Sequence, residues 1–121
     1  MNSQDYSNVV DKYMLYLNEK NPEGITALYA DTATVEDPVG SNVVSGIAAI
    51  REFYSKIVDF DLNVKRTGPI RIAGKEVAFQ LFMKFSGSST KTDVIDTFHF
   101  DEVGKILSMR AFWGEKNQSP H

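Results

Sequence analysis

The hydrophobic residues in the first half of the chain recur at intervals of three and four, which is the spacing of an amphipathic helix. The first such segment extends from residue 3 or 5 to residue 17 and ends near Asn18. One face of this predicted helix carries its apolar side chains, namely Tyr6, Val9, Val10, Tyr13, Tyr16 and Leu17. We therefore expect this face to pack against the core of the protein.

Two further helices are predicted before the pattern changes. Asn21-Pro22-Glu23 begins a short one, because asparagine caps a helix well and proline suits the first turn. Its inward side chains are expected to be Ile25, Leu28 and Tyr29. The third helix extends from about Ile47 to Val58, and its inward positions are Ile47, Ile50, Phe53, Tyr54 and Ile57.

Strands are predicted on either side of the third helix. A short strand over residues 32–36 ends at Asp37-Pro38. After the third helix the apolar period becomes two, which is typical of strands with one buried face. The predicted strands cover residues 62–66, 70–72, 77–85, 91–100 and 105–113, with turns between them.

Helices in the first half and strands in the second are the order expected of an α+β domain rather than of alternating βα units. We expect three helices packed against a cone-shaped, curved and mostly antiparallel sheet. With 121 residues the chain fits one domain, over residues 1–121. A cone of this kind either fills with side chains or stays open as a pocket, so the residues on its inner face decide its use.

Composition and charge exclude several classes of protein. The chain has 13 basic and 16 acidic residues, a net charge of −3 and no cluster of Lys or Arg, so nucleic acid is not an expected partner. It has no cysteine, which excludes disulfides and thiol catalysis. Residues 1–5 lack signal-peptide features, and no apolar run approaches the roughly 18 residues of a membrane span. We therefore expect a cytoplasmic protein without a membrane segment.

Two carboxylates fall on apolar faces of predicted strands. Asp96 lies on the same strand face as Val94 and Phe98, and Asp37 shares its face with Val35. Burial of an unpaired carboxylate is costly and usually raises its pKa instead, which marks such groups as functional candidates. Structural explanations exist as well: Asp before Pro is common in turns, and Asp96 could face outward or accept a buried hydrogen bond. The occurrence of both carboxylates together favours a functional site.

Inward tyrosines strengthen this interpretation. Tyr13, Tyr29 and Tyr54 are expected on the inward faces of three different helices, so their hydroxyls could meet in one pocket. Taken singly, each is also explained as core packing with the hydroxyl at an edge. The histidines His99 and His121 form no metal-binding or Ser-His-Asp pattern, and His99 falls on the outward face of its strand. We predict no metal site, and we expect His99 at the surface or in an interface.

Four segments occur as a set: Tyr29-Ala30-Asp31-Thr32-Ala33-Thr34-Val35-Glu36-Asp37-Pro38, Phe53-Tyr54, Asp93-Val94-Ile95-Asp96 and Met109-Arg110-Ala111-Phe112-Trp113. With nearly constant spacing from about Tyr6 to Asn117, this set resembles the bacterial Δ5-3-ketosteroid isomerases. The Tyr-Ala-Asp and Glu-Asp-Pro parts alone also occur across the wider nuclear-transport-factor-like superfamily. The whole set at this spacing is much more specific.

The resemblance implies the cone-shaped, SnoaL-like (cystatin-like) fold and an isomerase that acts on a steroid without a cofactor. It implies that Asp37 is the general base and that Tyr13 and a protonated Asp96 form the oxyanion hole; these isomerases are the standard example of a carboxylic acid kept neutral as a donor. Tyr54 and Tyr29 are then hydrogen-bonded behind Tyr13. The substrate-binding residues that the resemblance implies are Trp113, Phe53, Met109, Val94 and Phe98.

The resemblance also implies a homodimer. Phe82 and Phe112 alternate to the face opposite the expected cone lining, where a second copy could cover them. The sequence departs from the isomerases at Asn42-Val43-Val44-Ser45 and in the turn over residues 86–90. These departures concern steroid selectivity rather than the chemistry.

Two alternatives remain open on the sequence alone. One is a non-catalytic module of the same fold that holds an apolar ligand or a partner protein. The other is a hydratase or an epoxide hydrolase, for which we identify no water-activating Asp–Arg or Asp–His set. The combination of Tyr13 with Asp96 favours the isomerase, because a binding module needs no donor pair facing a base.

Overall fold

The computed structural model describes residues 1–120 and contains three α-helices in that range: α1 covers Ser3–Asn18, α2 covers Pro22–Thr26 and α3 covers Ile47–Val58. The start of α1 follows from its cap. The Asn2 side chain accepts a hydrogen bond from the Asp5 amide, and the Asp5 carboxylate accepts one from the Asn2 amide, both at 2.9 Å. Asn21 caps α2 as predicted, by accepting from the Gly24 amide at 2.9 Å. The predicted positions of α1 and α3 and the predicted start of α2 are confirmed.

The described strands form one sheet. β1 covers Tyr29–Glu36, β2 Val44–Ser45, β3 Leu62–Arg66, β4 Arg71–Ala73, β5 Glu76–Phe85, β6 Thr90–Phe100, β7 Ile106–Phe112 and β8 Gln118–Pro120. Their order is β2-β1-β7-β6-β5-β3, with β4 beside β5 and β8 beside β6. Neighbouring strands are antiparallel except β1 and β7, which are parallel. The sheet is curved and unclosed, and with the helices it confirms the predicted α+β fold.

Tyr29 lies on a strand, which corrects the prediction that it belongs to the second helix. α2 ends at Thr26, and the Ile106 amide donates to the Leu28 carbonyl at 2.9 Å. This bond draws the chain after α2 alongside β7, where Tyr29 pairs with Ile106. β1 therefore begins earlier than the pattern of residues 32–36 indicated.

Two short strands fall outside the sequence-based prediction. β2 has two residues and β8 has three, too few for an alternating pattern to be visible. Each forms because a longer strand is available to pair with it: Val35 of β1 pairs with Val44 of β2, and Thr92 of β6 pairs with Gln118 of β8. β8 thereby returns the chain to the beginning of β6.

The inner face of the sheet and the helices enclose the core. Along β6 the burial alternates as predicted, with inner residues that are at most 4% exposed: Val94, Asp96, Phe98 and Phe100. The outer residues Asp93, Ile95 and His99 are exposed. His99 is therefore at the outer surface, as predicted, whereas His121 lies outside the described residues. Within residues 1–120, Asp96 is the only buried residue among the aspartates, glutamates, lysines, arginines and histidines.

Two kinds of feature are relevant in the described part of the chain, namely membrane-spanning helices and groups of metal ligands. None of its helices is long and apolar enough to cross a membrane. No group of three or more His, Asp or Glu side chains in residues 1–120 is placed to hold a metal ion. The cytoplasmic location and the single domain over residues 1–121 stay predictions.

Candidate active site

Three tyrosine hydroxyls form a buried chain between the helices and the sheet. Tyr13 comes from α1, Tyr54 from α3 and Tyr29 from β1, and each is at most 3% exposed. The Tyr54 hydroxyl lies 3.0 Å from that of Tyr13 and 2.5 Å from that of Tyr29. The Tyr13 ring also packs edge-on against Phe79 and Phe98, which holds it in place. The structure thus brings the three hydroxyls together, with Tyr54 in the middle.

This chain can leave one proton free at its Tyr13 end. Each hydroxyl donates a single hydrogen bond and can accept others. When Tyr29 donates to Tyr54 and Tyr54 donates to Tyr13, the proton of Tyr13 remains available for a ligand. Burial raises the pKa of Tyr13 well above its ordinary value, and the hydrogen bond with Tyr54 lowers that pKa. Tyr13 is therefore a neutral donor near pH 7. The hydrogen bond from Tyr54 stabilises negative charge on the hydroxyl oxygen of Tyr13.

Asp96 places a carboxyl group in an apolar wall. Its neighbours on the inner face of β6 are Val94 and Phe98, and it is 4% exposed. Among residues 1–120, the structure shows no hydrogen-bond partner for the Asp96 carboxyl. Burial raises the pKa of Asp96 well above its ordinary value, and the nearby Asp37 carboxylate raises it further. Both effects favour the protonated acid, whose O–H can donate to a ligand.

Asp37 lies in the turn that follows β1, at the wall of a cavity. The Nε1–H of Trp113 donates to Oδ1 of Asp37 at 2.8 Å. Burial raises the pKa of Asp37, and the hydrogen bond from Trp113 lowers it. Asp37 therefore has a donor that stabilises its charged form, which Asp96 lacks.

Further contacts anchor this turn to β7. The Val39 amide donates to the Ala111 carbonyl at 2.8 Å. One carboxylate oxygen of Glu36 accepts from the Gly40 amide at 2.9 Å, and the other accepts from Nε of Arg110 at 3.1 Å. The same two bonds hold the pKa of Glu36 below its usual range. The turn is thus held on both sides of the aspartate that it carries.

The cavity beside the turn has a volume of about 270 Å³. Its wall is largely apolar and is formed by Asp37, Phe53, Ile57, Met83, Phe85, Thr92, Trp113 and Gln118. Small-molecule sites typically have about 300–1,000 Å³, mostly apolar walls and a few placed polar groups. The cavity is slightly smaller than this range, and its apolar wall suits a small apolar ligand.

The structure places the predicted binding residues in two settings. Phe53 and Trp113 line the cavity. The other three are buried side chains of the adjoining core, namely Val94, Phe98 and Met109. Phe98 packs against Tyr13 with ring centroids 5.0 Å apart, so it supports the tyrosine from behind.

Several lining residues are absent from the sequence-based prediction: Ile57, Met83, Phe85, Thr92 and Gln118. The first four carry a detectable signal. Ile57 lies on the inward face of α3. The other three lie on the same strand face as the buried residues of β5 and β6. Gln118 carries no such signal, because it follows the last strand that the alternation predicts. Its place in the wall depends on the pairing of β8 with β6.

Comparison with known proteins identifies the family of this chain. Residues 10–109 match the model of the SnoaL-like domain. The chain belongs to this family. It is also 35% identical over 112 residues to a steroid Delta-isomerase of Nocardioides simplex, an alignment that covers 92% of this chain and 91% of the relative. The predicted resemblance is thereby confirmed at the level of the family.

A solved structure of the same fold carries a different description. It is the epoxide hydrolase/cyclase-like enzyme SalBIII, described as acting in pyran ring formation in the polyether salinomycin. The TM-score is 0.91 at 30% sequence identity, and the match covers 99% of this chain and 98% of the other. Enzymes related to this SnoaL-like chain therefore include both an isomerase and an epoxide hydrolase/cyclase-like protein.

Proposed function

We propose that this protein is a steroid Δ5-to-Δ4 isomerase, which moves the C=C bond of a 3-oxo-Δ5-steroid into conjugation with the carbonyl. One observation carries the proposal. Two buried or part-buried carboxyl groups interact electrostatically, and the contacts around Asp37, which accepts the Trp113 N–H, suit it for a base, whereas those around Asp96 suit it for a neutral acid. The relative at 35% identity supports the same activity.

The reaction needs one base and one store for negative charge. The Asp37 carboxylate removes a proton from C4, the electrons of that C–H bond move toward the C3 carbonyl, and a dienolate forms. Asp37 then returns the proton to C6, and the electrons of the dienolate restore the carbonyl and form the C4=C5 bond. No electron leaves the substrate, so the balance requires no cofactor.

Tyr13 and Asp96 stabilise the dienolate oxygen. A carboxylate is a weak base for a carbon acid, so the charge on that oxygen has to be strongly stabilised. Two donors held in place before the reaction supply this, and each is typically worth about 3–4 kcal/mol in such a site. Asp96 has to be protonated for this role, because a second carboxylate would repel both Asp37 and the dienolate.

Trp113 helps to keep the base, Asp37, in its ionised form. Its N–H stabilises the carboxylate form of Asp37 against the effect of burial. The apolar wall formed by residues such as Phe53 and Phe85 would accept the flat hydrocarbon part of a steroid.

The proposal is tested with 5-androstene-3,17-dione. Conversion to the conjugated enone produces a new ultraviolet absorption band, and we expect the wild-type protein to generate this band with saturation kinetics. Wild-type protein that binds the steroid without turnover would make it a binding module, and the isomerase proposal would be wrong.

A second candidate function is the opening or cyclisation of an epoxide. The structural match to the epoxide hydrolase/cyclase-like enzyme favours it. The same two groups could act, with Asp96 protonating the epoxide oxygen and Asp37 accepting the proton of an attacking hydroxyl. A hydroxy-epoxide incubated with the protein, followed by chromatography of a cyclic ether or diol, distinguishes this candidate from the isomerase.

We also propose that the protein forms a homodimer through the outer face of its sheet. Ile95 and Phe112 are paired in register on this face and are 45% and 42% exposed. A second copy would remove this apolar surface from water. Analytical ultracentrifugation should show a dimer at micromolar concentration and a monomer for Phe112→Lys. A wild-type monomer at that concentration would contradict the proposal.

A further inference from the structure

Thr92 and Gln118 form a polar pair at the end of the cavity formed by β6 and β8. They are directly opposite each other in the antiparallel pairing of the two strands. Residues opposite each other share one face of a sheet, and both side chains line the cavity. The structure shows no hydrogen bond from either side chain to another residue in the range 1–120. A hydroxyl and an amide, each able to donate and accept, therefore face the cavity without a side-chain hydrogen bond to another residue in that range.

The pair lies far from the proposed oxyanion donors. Thr92 precedes Asp96 by four positions on the same face of β6, which corresponds to about 13 Å along the strand. The residue between them on that face is Val94, which is buried and apolar. On this face of β6, one apolar side chain thus separates Thr92 from Asp96.

The remaining polar groups of the wall are already engaged. Asp37 and Trp113 are hydrogen-bonded to each other, and the other lining side chains are apolar. Solvation at the rim alone would explain one exposed glutamine. It does not explain why Thr92, on the inner face of β6, lies directly opposite Gln118 of β8.

We propose that Thr92 and Gln118 form a subsite for an oxygen at the end of the substrate remote from the reacting carbonyl. The ligand class is a rigid, flat hydrocarbon with an oxygen at each end, such as a 3-ketosteroid with a hydroxyl or carbonyl at C17. The inference rests on the proposed function, and it concerns which substrate the site selects. Both side chains act on binding and are remote from the atoms that react.

The first test compares two substrates that differ only at C17: 5-androstene-3,17-dione and 5-androsten-3-one. Loss of a neutral hydrogen bond costs about 3- to 10-fold in affinity, and an interaction present equally in ground and transition states changes KM rather than kcat. Thr92→Val and Gln118→Leu should therefore raise KM for the dione about 3- to 10-fold each and leave its kcat unchanged. The KM for 5-androsten-3-one should not rise.

Ser119→Ala is the matched control. Ser119 lies next to Gln118 on β8 but alternates to the other face, and its partner Lys91 is outside the cavity wall. This variant should retain the wild-type ratio of the two KM values. An unchanged ratio in Thr92→Val and Gln118→Leu would overturn the subsite, as would an equal change in Ser119→Ala.

A binding measurement separates this inference from the proposed function. Trp113 is the only tryptophan of the chain and lies in the cavity wall, so its fluorescence reports occupancy directly. Testosterone and 4-androsten-3-one do not react further and differ in the C17 hydroxyl. Tighter binding of testosterone that disappears in Gln118→Leu supports the subsite even when no isomerisation is detected, a result that would overturn only the isomerase. Equal affinities in the wild-type protein, or binding of neither steroid, would overturn the subsite.

Discussion

Two regions of the molecule each hold one carboxyl group: the buried end around Asp96 and Tyr13, and the turn after β1 with Asp37. The surroundings of the two carboxyl groups differ. Asp96 lies on a central strand, is 4% exposed and has no hydrogen-bond partner among residues 1–120. Asp37 lies in a turn at the cavity wall and accepts the N–H of Trp113 at 2.8 Å. Burial raises the pKa of both groups, but only Asp37 has a contact that lowers it again.

In the proposed function, this difference is what lets one site use an acid and a base of the same residue type. The central strand offers no donor to a carboxylate, so nothing offsets the burial that raises the pKa of Asp96 and favours its protonated form. The turn offers a donor, and a carboxylate that accepts a hydrogen bond remains ionised more easily. Charge on Asp37 also helps to keep Asp96 neutral, because two carboxylates in one apolar site repel each other.

The largest effect is expected for Asp37→Asn, which removes the base from the turn. The amide keeps the shape of the side chain but cannot take a proton from carbon, so kcat should fall by about 10²- to 10⁴-fold. Steroid binding, measured by Trp113 fluorescence, should persist. Asp31→Asn is the control, because Asp31 is an exposed carboxylate on β1. A turnover near wild type in Asp37→Asn would remove Asp37 from the base role.

The next largest effect concerns the buried end. Asp96→Leu keeps the volume and deletes the donor, so kcat should fall by about 10²- to 10³-fold. Asp96→Asn retains a neutral donor and should keep much more of the activity. Asp93→Asn, on the exposed face of the same strand, should behave like the wild-type protein. Equal losses in the two Asp96 variants would mean that the side chain does not act as a donor.

Tyr13→Phe removes the other donor at the same end. We expect a loss in kcat of about 10²- to 10³-fold, since the Tyr13 hydroxyl acts only as charge develops on the substrate oxygen. Tyr54→Phe should lose less, because its hydroxyl reaches the substrate only through Tyr13. Steady-state kinetics decide the case: a rise in KM alone would assign Tyr13 to packing.

A moderate effect should appear in the pH dependence of folding. The unfolded chain releases the Asp96 proton near pH 3.9, whereas the folded chain keeps it because its pKa is raised. The free energy of unfolding should therefore decrease as the pH rises above about 4, by at most about 1.4 kcal/mol per pH unit, until folded Asp96 also ionises. Urea unfolding across this range should show a shallower decrease for Asp96→Asn. The same slope in both proteins would show that Asp96 is not protonated in the folded state.

The smallest effect is expected for Trp113→Phe. This change leaves Asp37 without the Trp113 donor, so that it resembles Asp96 in this respect. Loss of the N–H donor removes the contact that lowers the pKa of Asp37, so the acidic limb of kcat/KM should move to higher pH by about one unit. Activity well above that limb should change little. A pH profile that does not move would show that the hydrogen bond at 2.8 Å leaves the base unaffected.

Particular residues show how far the sequence could predict this site. Asp96 and Tyr54 were predictable, because strand alternation and helical spacing place them among apolar neighbours whatever the rest of the fold does. Tyr29 joins the chain of tyrosine hydroxyls, but from β1 rather than from the predicted helix. The bond between Leu28 and Ile106 that ends the helical region joins residues far apart in the sequence, so no local pattern could indicate it.

The amino-acid sequence by itself determined the helices, the alternation of the long strands, the apolar inner face and the Asp96 carboxyl group on it, because these depend on periodicity and short-range capping. Only the tertiary structure decided that Trp113 donates to Asp37, that three hydroxyls form one chain through Tyr54, and that β8 brings Gln118 opposite Thr92. These contacts join distant segments, and their geometry depends on the curvature and pairing order of the whole sheet.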